Sequence, residues 1–228
     1  MTTQQIIWEH FQNDRQDSFA RSRPRLTFLL RQIAKRSGAH PSVLNIGVGD
    51  GYFDRQARLA GWKIESVDPD ERSVARLAAE GVAAYVGGVE KLPQASGSMD
   101  FVAISEVIEH LTDEQLAAGL AEISRVLKPG GRIIGTVPHD EVLIEQQVIC
   151  PECSHVFHRW GHQRSFTVSQ VRTMLSVQFV VESIGRTAFV DLWGDGVRGF
   201  VKGSIRALLA RFGAPIAAPT IWWVARKN

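Results

Sequence analysis

The chain has 228 residues, of which 44% are apolar and 22% charged, with a net charge of +2. That length supports one sizeable core and at most two domains, and so small a charge does not by itself argue for nucleic acid. No apolar run reaches the roughly 18 residues of a membrane-crossing helix, and Met1-Thr-Thr-Gln-Gln lacks the basic start and apolar stretch of a signal peptide. The two cysteines sit in one Cys-x-x-Cys, which points to a reducing compartment and to metal or redox chemistry rather than a disulfide scaffold. The expectation is a cytoplasmic protein.

Residues 4–37 predict helix, with Ile6, Ile7 and Phe11, then Leu26, Leu29, Leu30 and Ile33, at helical spacings and Pro24 opening the second segment. They form an N-terminal cap over 1–37, with a substrate lid as the alternative. Residues 43–46 predict a first strand, 53–60 a helix, 63–67 a second strand ending at Asp68-Pro69, and 74–80 a second helix. Strands follow at 83–86 and 100–105. Thr112-Asp-Glu-Gln115 is a capping box for a helix that runs to Leu127, Lys128-Pro-Gly-Gly131 stops it, and 132–137 is a fifth strand. Between 138 and 164 the alternation breaks, for longer than an ordinary loop. Thr167 then caps a helix to Leu175, 179–184 is a sixth strand and 220–226 the last. Such alternation predicts an α/β protein with helices on both faces of a parallel sheet.

The first strand runs into Gly47, Gly49 and Gly51, a loop that lets the backbone turn tightly and a ligand approach closely. A dinucleotide site usually has Gly-x-Gly-x-x-Gly, whereas this alternating form, followed by Tyr52, suits a ligand without a pyrophosphate. Asp68 closes the second strand, where a carboxylate can accept both hydrogen bonds of a ribose diol. On these features, with VLNIGVGDGYF, VDPDERSVARL, VGGVEKLPQASGSMDFV, SEVIEHL and LKPGGRIIGTVP, the chain resembles the class I S-adenosylmethionine-dependent methyltransferases, in their small-molecule and lipid-precursor branch.

The resemblance spans about residues 40–185, the expected cofactor-binding core. It implies a Rossmann-like fold, with a seven-stranded, mostly parallel sheet whose last strand is antiparallel. It also implies that Gly47, Gly49 and Gly51 pass the methionine part of S-adenosylmethionine and that Asp68, with Pro69, holds the ribose. Gly88 and Val89 would edge the adenine, and Ser105 and Glu106 would close the far side. Two positions depart from the pattern: Asn45 stands where the family usually has an acid, and Gly88 where it often has Asp.

Methyl transfer to an amine or carboxylate needs mainly alignment, whereas a hydroxyl acceptor needs a base or a metal. The candidate bases are His110, His139 and His162. Two metal constellations compete for His162. Glu106, Glu109 and His110 share one face of a helical turn, and ubiquinone-pathway and small-RNA O-methyltransferases, which look similar there, bind a divalent ion through such a run plus a later histidine. Cys150, Cys153, His158 and His162, with His155 as a rival, have the ligand types of a zinc knuckle in the 138–166 insertion. Residues 196–213 carry Arg198, Lys202, Arg206 and Arg211 beside Val201, Ile205, Leu208, Leu209 and Phe212, a basic amphipathic helix that either packs on the sheet or makes peripheral contact with a membrane or lipid-linked substrate.

The expectation is a single domain over 1–228, ending in that helix and the last strand (190–228). It would transfer methyl from S-adenosylmethionine to a small or lipid- or sugar-linked acceptor, O- ahead of N-methylation. The rivals are a metal-dependent RNA-end 2′-O-methyltransferase, which the weak basicity and the lack of an aromatic-basic platform oppose, and a non-catalytic cofactor-binding or membrane-associated regulator.

Overall fold

A strand buried on both faces needs apolar side chains at nearly every position, and β1 (Ser42–Ile46) is one. In the computed structural model, which describes residues 3–189, 196–214 and 218–228, it lies near the middle of a seven-stranded sheet. β2 (Lys63–Asp68), β3 (Ala83–Val86), β4 (Met99–Ser105) and β5 (Leu127–Pro138) run parallel to it. A hairpin of β6 (Gln147–Ile149) and β7 (Val156–His158) stands apart from the sheet. β8 (Phe179–Thr187) forms an edge, and β9 (Thr220–Lys227) inserts antiparallel between β5 and β8. The spatial order is β3-β2-β1-β4-β5-β9-β8, so the chain reverses its direction of progress between β1 and β4. Ligands of open parallel sheets bind outside the strand ends at such a switch point.

Two cores fill the faces by simple alternation. Leu44, Ile104, Ile133 and Trp223 point to one side, packing with Ile123 of α5 (Asp113–Val126) and Leu175 of α6 (Val168–Ser176). Val43, Ala103, Ile134 and Val224 point to the other, where Leu29 and Ile33 of α2 (Arg23–Ala34), Phe53 and Ala57 of α3 (Tyr52–Leu59) and Leu77 of α4 (Glu71–Ala79) meet them. Thr112 opens α5 with the capping box its sequence predicts, and Thr167, expected as a cap, opens α6 with a second reciprocal box.

Two local expectations change. Residues 4–37 are not continuous helix: α1 (Thr3–Glu9) passes through a π turn (His10–Asp14) and a 3-10 stretch (Gln16–Ser22) before α2. β5 already begins at Leu127, opposite Met99, because a register shift between Met99 and Phe101 absorbs the Lys-Pro-Gly-Gly run into the strand. The basic amphipathic segment is helical as α7 (Gly196–Arg211), although the side chains of 196–202, including Arg198, Val201 and Lys202, lie outside the described residues. No helix among the described residues is long and apolar enough to cross a membrane.

A buried polar knot ties β1, β2 and α3 together. Asp54 is fully buried and accepts from Asn45 Nδ2, 3.1 Å from each carboxylate oxygen, and from Ser66 Oγ at 2.5 Å. The buried carboxylate expected at position 45 is thus supplied one helix turn beyond the loop, and Asn45 serves it as a donor. Burial lifts the Asp54 carboxyl to about 6, against the pull of Ser66 and Asn45. A raised folded pKa means that the folded state keeps the proton longer, so stability falls as pH rises from about 4 to about 6 and is then level. Asp54→Asn should flatten that slope, worth about 3 kcal/mol, in urea titrations between pH 4 and 7. Asn45→Asp, which sets two carboxylates face to face, should steepen it.

Candidate active site

Gly47, Gly49 and Gly51 follow β1 with φ of +89°, +55° and +78°, which side chains resist. A Cβ on Gly47 would lie 2.8 Å from Val107, and one on Gly49 3.1 Å from the Phe19 ring. Asp68, buried at the end of β2, is fixed by two backbone donors: Val48 N–H to Oδ2 at 2.7 Å and Asp70 N–H to Oδ1 at 2.9 Å. Burial pushes its carboxyl up even so. Pro69 beside it is exposed. A Cβ on Gly88 would collide with the Glu90 carboxylate, and the Val89 side chain is buried against Gly119 of α5, which leaves its backbone to edge a ligand. Past β4, Ser105 Oγ lies 2.8 Å from Thr136 Oγ1 and accepts from Arg25 Nε at 3.0 Å. Glu106 holds a left-handed φ of +56° with Arg25 at 3.7 Å, backbone strain of the kind that collects at functional sites.

The N-terminal segment closes over this edge. Gln12 Nε2 donates to Asp68 Oδ2 at 3.2 Å, and Asn13 Nδ2 donates to Asp70 Oδ2 at 2.9 Å. Trp8 meets the His110 ring edge-on with centroids 4.8 Å apart, and Phe11 lies 4.9 Å from Trp160. Sequence patterns did not single out Gln12, Asn13 or Arg25, because their partners are more than fifty residues away.

Beside Glu106 the structure gathers two carboxylates and three histidines. Glu141 is the hub: His162 donates Nδ1–H to its Oε2 at 2.5 Å, and its Oε1 lies 3.5 Å from His158 Nε2, a contact too poorly aligned for a full hydrogen bond. Burial pushes the Glu141 carboxyl up, but the two histidines outweigh it and hold it below the usual range. His158 Nδ1 accepts the N–H groups of Trp160 and His162, so its own proton sits on Nε2. His162 donates through Nδ1, and its Nε2 lies 4.0 Å from Glu109. His110 donates Nδ1–H to the Gly161 carbonyl at 3.2 Å, and burial followed by His162 drives it down to about 3. It is too weak a base to take a proton near pH 7. Neither oxygen of the buried Glu109 has a hydrogen-bond partner. Burial, then Glu106, raises its carboxyl well above the ordinary range.

The four residues of the expected zinc knuckle fall in two places. Cys150 and Cys153 lie at the turn of the β6–β7 hairpin, where the N–H groups of Cys153 and Glu152 and the Cys153 side chain draw the Cys150 thiol down. His158 pairs with Gln147 at the opposite end of that ladder and, with His162, turns to Glu141. Among the described residues, the groups with metal-ligand spacing are Glu109, His110 and His162, and Glu141, His158 and His162; neither includes a cysteine. His155 stacks on Phe157 instead. His139 lies outside the cluster, its Nδ1 at 3.4 Å from the Phe166 carbonyl and its Nε2 accepting from Arg186 at 3.1 Å, which occupies the lone pair a base would use.

Glu109→Gln removes a buried carboxyl that the folded chain must keep protonated. Because a raised acid costs stability once pH exceeds its unfolded value near 4, the variant should melt higher than the parent at pH 7 in metal-free buffer and equally at pH 4. A lower melting temperature at pH 7 would contradict the orphaned, protonated state.

Residues 44–135 match the family model described as a methyltransferase domain. The chain is 33% identical to a malonyl-[acyl-carrier protein] O-methyltransferase of Serratia marcescens over 46% of its length, a match that spans only 44% of that relative's own. It is 30% identical to a ubiquinone/menaquinone biosynthesis C-methyltransferase of Paracoccus denitrificans, over 69% of this chain and 64% of that one. In fold it is similar to the N-methyltransferase NodS of Bradyrhizobium japonicum, solved with S-adenosyl-L-homocysteine, at a TM-score of 0.66 and 17% identity over the whole of both chains. The sheet order, the left-handed glycine loop and the matched region agree: residues 44–135 are a methyltransferase domain, and the chain has the fold of the class I S-adenosylmethionine-dependent methyltransferases.

Proposed function

We propose that the protein transfers a methyl group from S-adenosylmethionine to an oxygen of a small or lipid- or sugar-linked acceptor. The residues fit that donor: Gly47 and Gly49 hold the left-handed turn that only glycine makes easily between β1 and its neighbours, and Asp68 is held by backbone donors at the sheet edge. Ser105 and Glu106, gripped by Arg25, would bound its amino-acid end. The donor supplies a methyl already activated on a sulfonium, which leaves the chain to align the acceptor and dispose of its proton.

The observation that carries the oxygen reading is the Glu141–His162 pair. An amine acceptor has little use for a base, whereas a hydroxyl does. His162 is oriented by Glu141 through Nδ1, and its Nε2, 4.0 Å from Glu109, is the atom that would take the proton. In this reading the acceptor O–H bond gives its proton to His162 Nε2 while the oxygen forms the new bond to carbon, and the electrons of the old carbon–sulfur bond stay on sulfur. His158 steadies Glu141 from its other oxygen.

The same cluster favours a second way of removing that proton. Glu109, His110 and His162 lie at metal-ligand spacing, and both histidines hold their other nitrogen in the arrangement typical of metal-bound imidazoles, one on a carbonyl and one on a carboxylate. A divalent ion held there would lower the pKa of a bound hydroxyl. Metal content and activity before and after chelation separate the two: loss restored by one ion favours the metal, and unchanged turnover favours His162 as the base.

His162→Gln should lower kcat for oxygen acceptors about 100-fold or more while leaving affinity for S-adenosylhomocysteine within twofold, read by tritium transfer and calorimetry. Full turnover of oxygen acceptors in that variant would sink His162 as the base. Gln12→Ala removes a side chain that occupies Asp68 and should tighten S-adenosylhomocysteine binding about fivefold, the equivalent of one neutral hydrogen bond.

A further inference from the structure

A cavity of about 1670 Å³ lies between α2, the outer half of β8 and α7, away from the histidine cluster. Arg23, Arg31, Arg186 and Arg211 line it, and Asp140 is the single carboxylate among its described lining residues. None of these four guanidinium groups lies within ion-pair distance of a carboxylate among the described residues. Arg23 lies over the Tyr52 ring, while Arg186 donates to His139 Nε2 and to the Arg211 carbonyl. Elsewhere the chain pairs its arginines freely, as Arg132 with Glu182 and Arg125 with Glu122 show. Arg23, Arg31 and Arg211 are exposed and Arg186 half-buried, and four guanidinium groups with no carboxylate in ion-pair reach give the space a positive potential that favours an anion.

The rest of the wall is mixed, with Thr27, Thr187 and Ser204 beside an apolar patch of Phe28, Phe189, Leu208 and Trp222. Phe28 packs at 5.2 Å from both Phe189 and Trp222, and these rings form a floor that a small inorganic ion would not cover. The space is open to solvent on one side and has room for an extended occupant. Polar recognition by arginine and an aromatic floor together select an amphiphilic anion. The exit of β5 links this space to the chemistry: His139 and Asp140 line the cavity, and the next residue, Glu141, holds His162.

We propose that this cavity is the acceptor site and that it takes a molecule bearing a phosphate or carboxylate group on an apolar body. This deepens, and rests on, the methyl-transfer reading above. The arginines bind the anionic group, the rings carry the apolar part, and selection acts on single molecules rather than on a membrane surface.

Calorimetry on the full chain tests it with octyl phosphate below its micellar concentration, octanol, inorganic phosphate and vesicles containing phosphatidic acid. Octyl phosphate should bind at least about tenfold tighter than octanol or inorganic phosphate, and Arg186→Gln and the exposed Arg31→Gln should each weaken it about tenfold, the loss expected for one charge-assisted contact. S-adenosylhomocysteine, titrated into the same samples, should bind all three proteins alike. Equal affinity for octyl phosphate and octanol, binding to vesicles alone, or indifference to both substitutions would overturn the proposal. If S-adenosylhomocysteine binds while octyl phosphate shows no preference, the cavity assignment alone falls. If octyl phosphate behaves as expected and S-adenosylhomocysteine does not bind, the anion site stands and the donor reading falls.

Discussion

Five parallel strands must all end on the same edge of their sheet, and the candidate site depends on that constraint. The glycine loop after β1, Asp68 after β2, Ser105 after β4 and His139 to Glu141 after β5 are far apart in sequence, yet the shared direction delivers them to one rim. The two cores serve this end by fixing each strand between helices, so that the residue after a strand has little freedom in where it emerges. β9 runs the other way between β5 and β8, so its start, not its end, meets the exit of β5.

What the sequence made legible was local or periodic. The glycine loop, the strand-two acid and both helix caps are defined within a few residues, and each lies where the pattern predicts. What escaped depends on partners that no local pattern records. Asn45 reads as a missing acid until Asp54 appears against it in three dimensions. Gln12 and Arg25 are unremarkable polar residues in an N-terminal helix until β2 and β4 deliver Asp68 and Ser105 to them.

The insertion teaches a different lesson. Cys-x-x-Cys followed by two histidines has the composition of a metal knuckle, but a hairpin ladder separates the thiols from His158, and an acid that the pattern did not include, Glu141, collects the histidines. Ligand types at short spacing say little about convergence when a rigid ladder intervenes. The contacts then sort the histidines: His139 has its lone pair engaged, His110 is too weakly basic, and His162 is backed through Nδ1 by the Glu141 carboxylate.

The strip from Trp8 to Asn13 touches both halves of the rim within six consecutive positions: its aromatic rings rest on His110 and Trp160, and its amides rest on Asp68 and Asp70. One short stretch of chain therefore ties the strand-two acids to the histidine side of the rim, a link made by side chains rather than by the sheet.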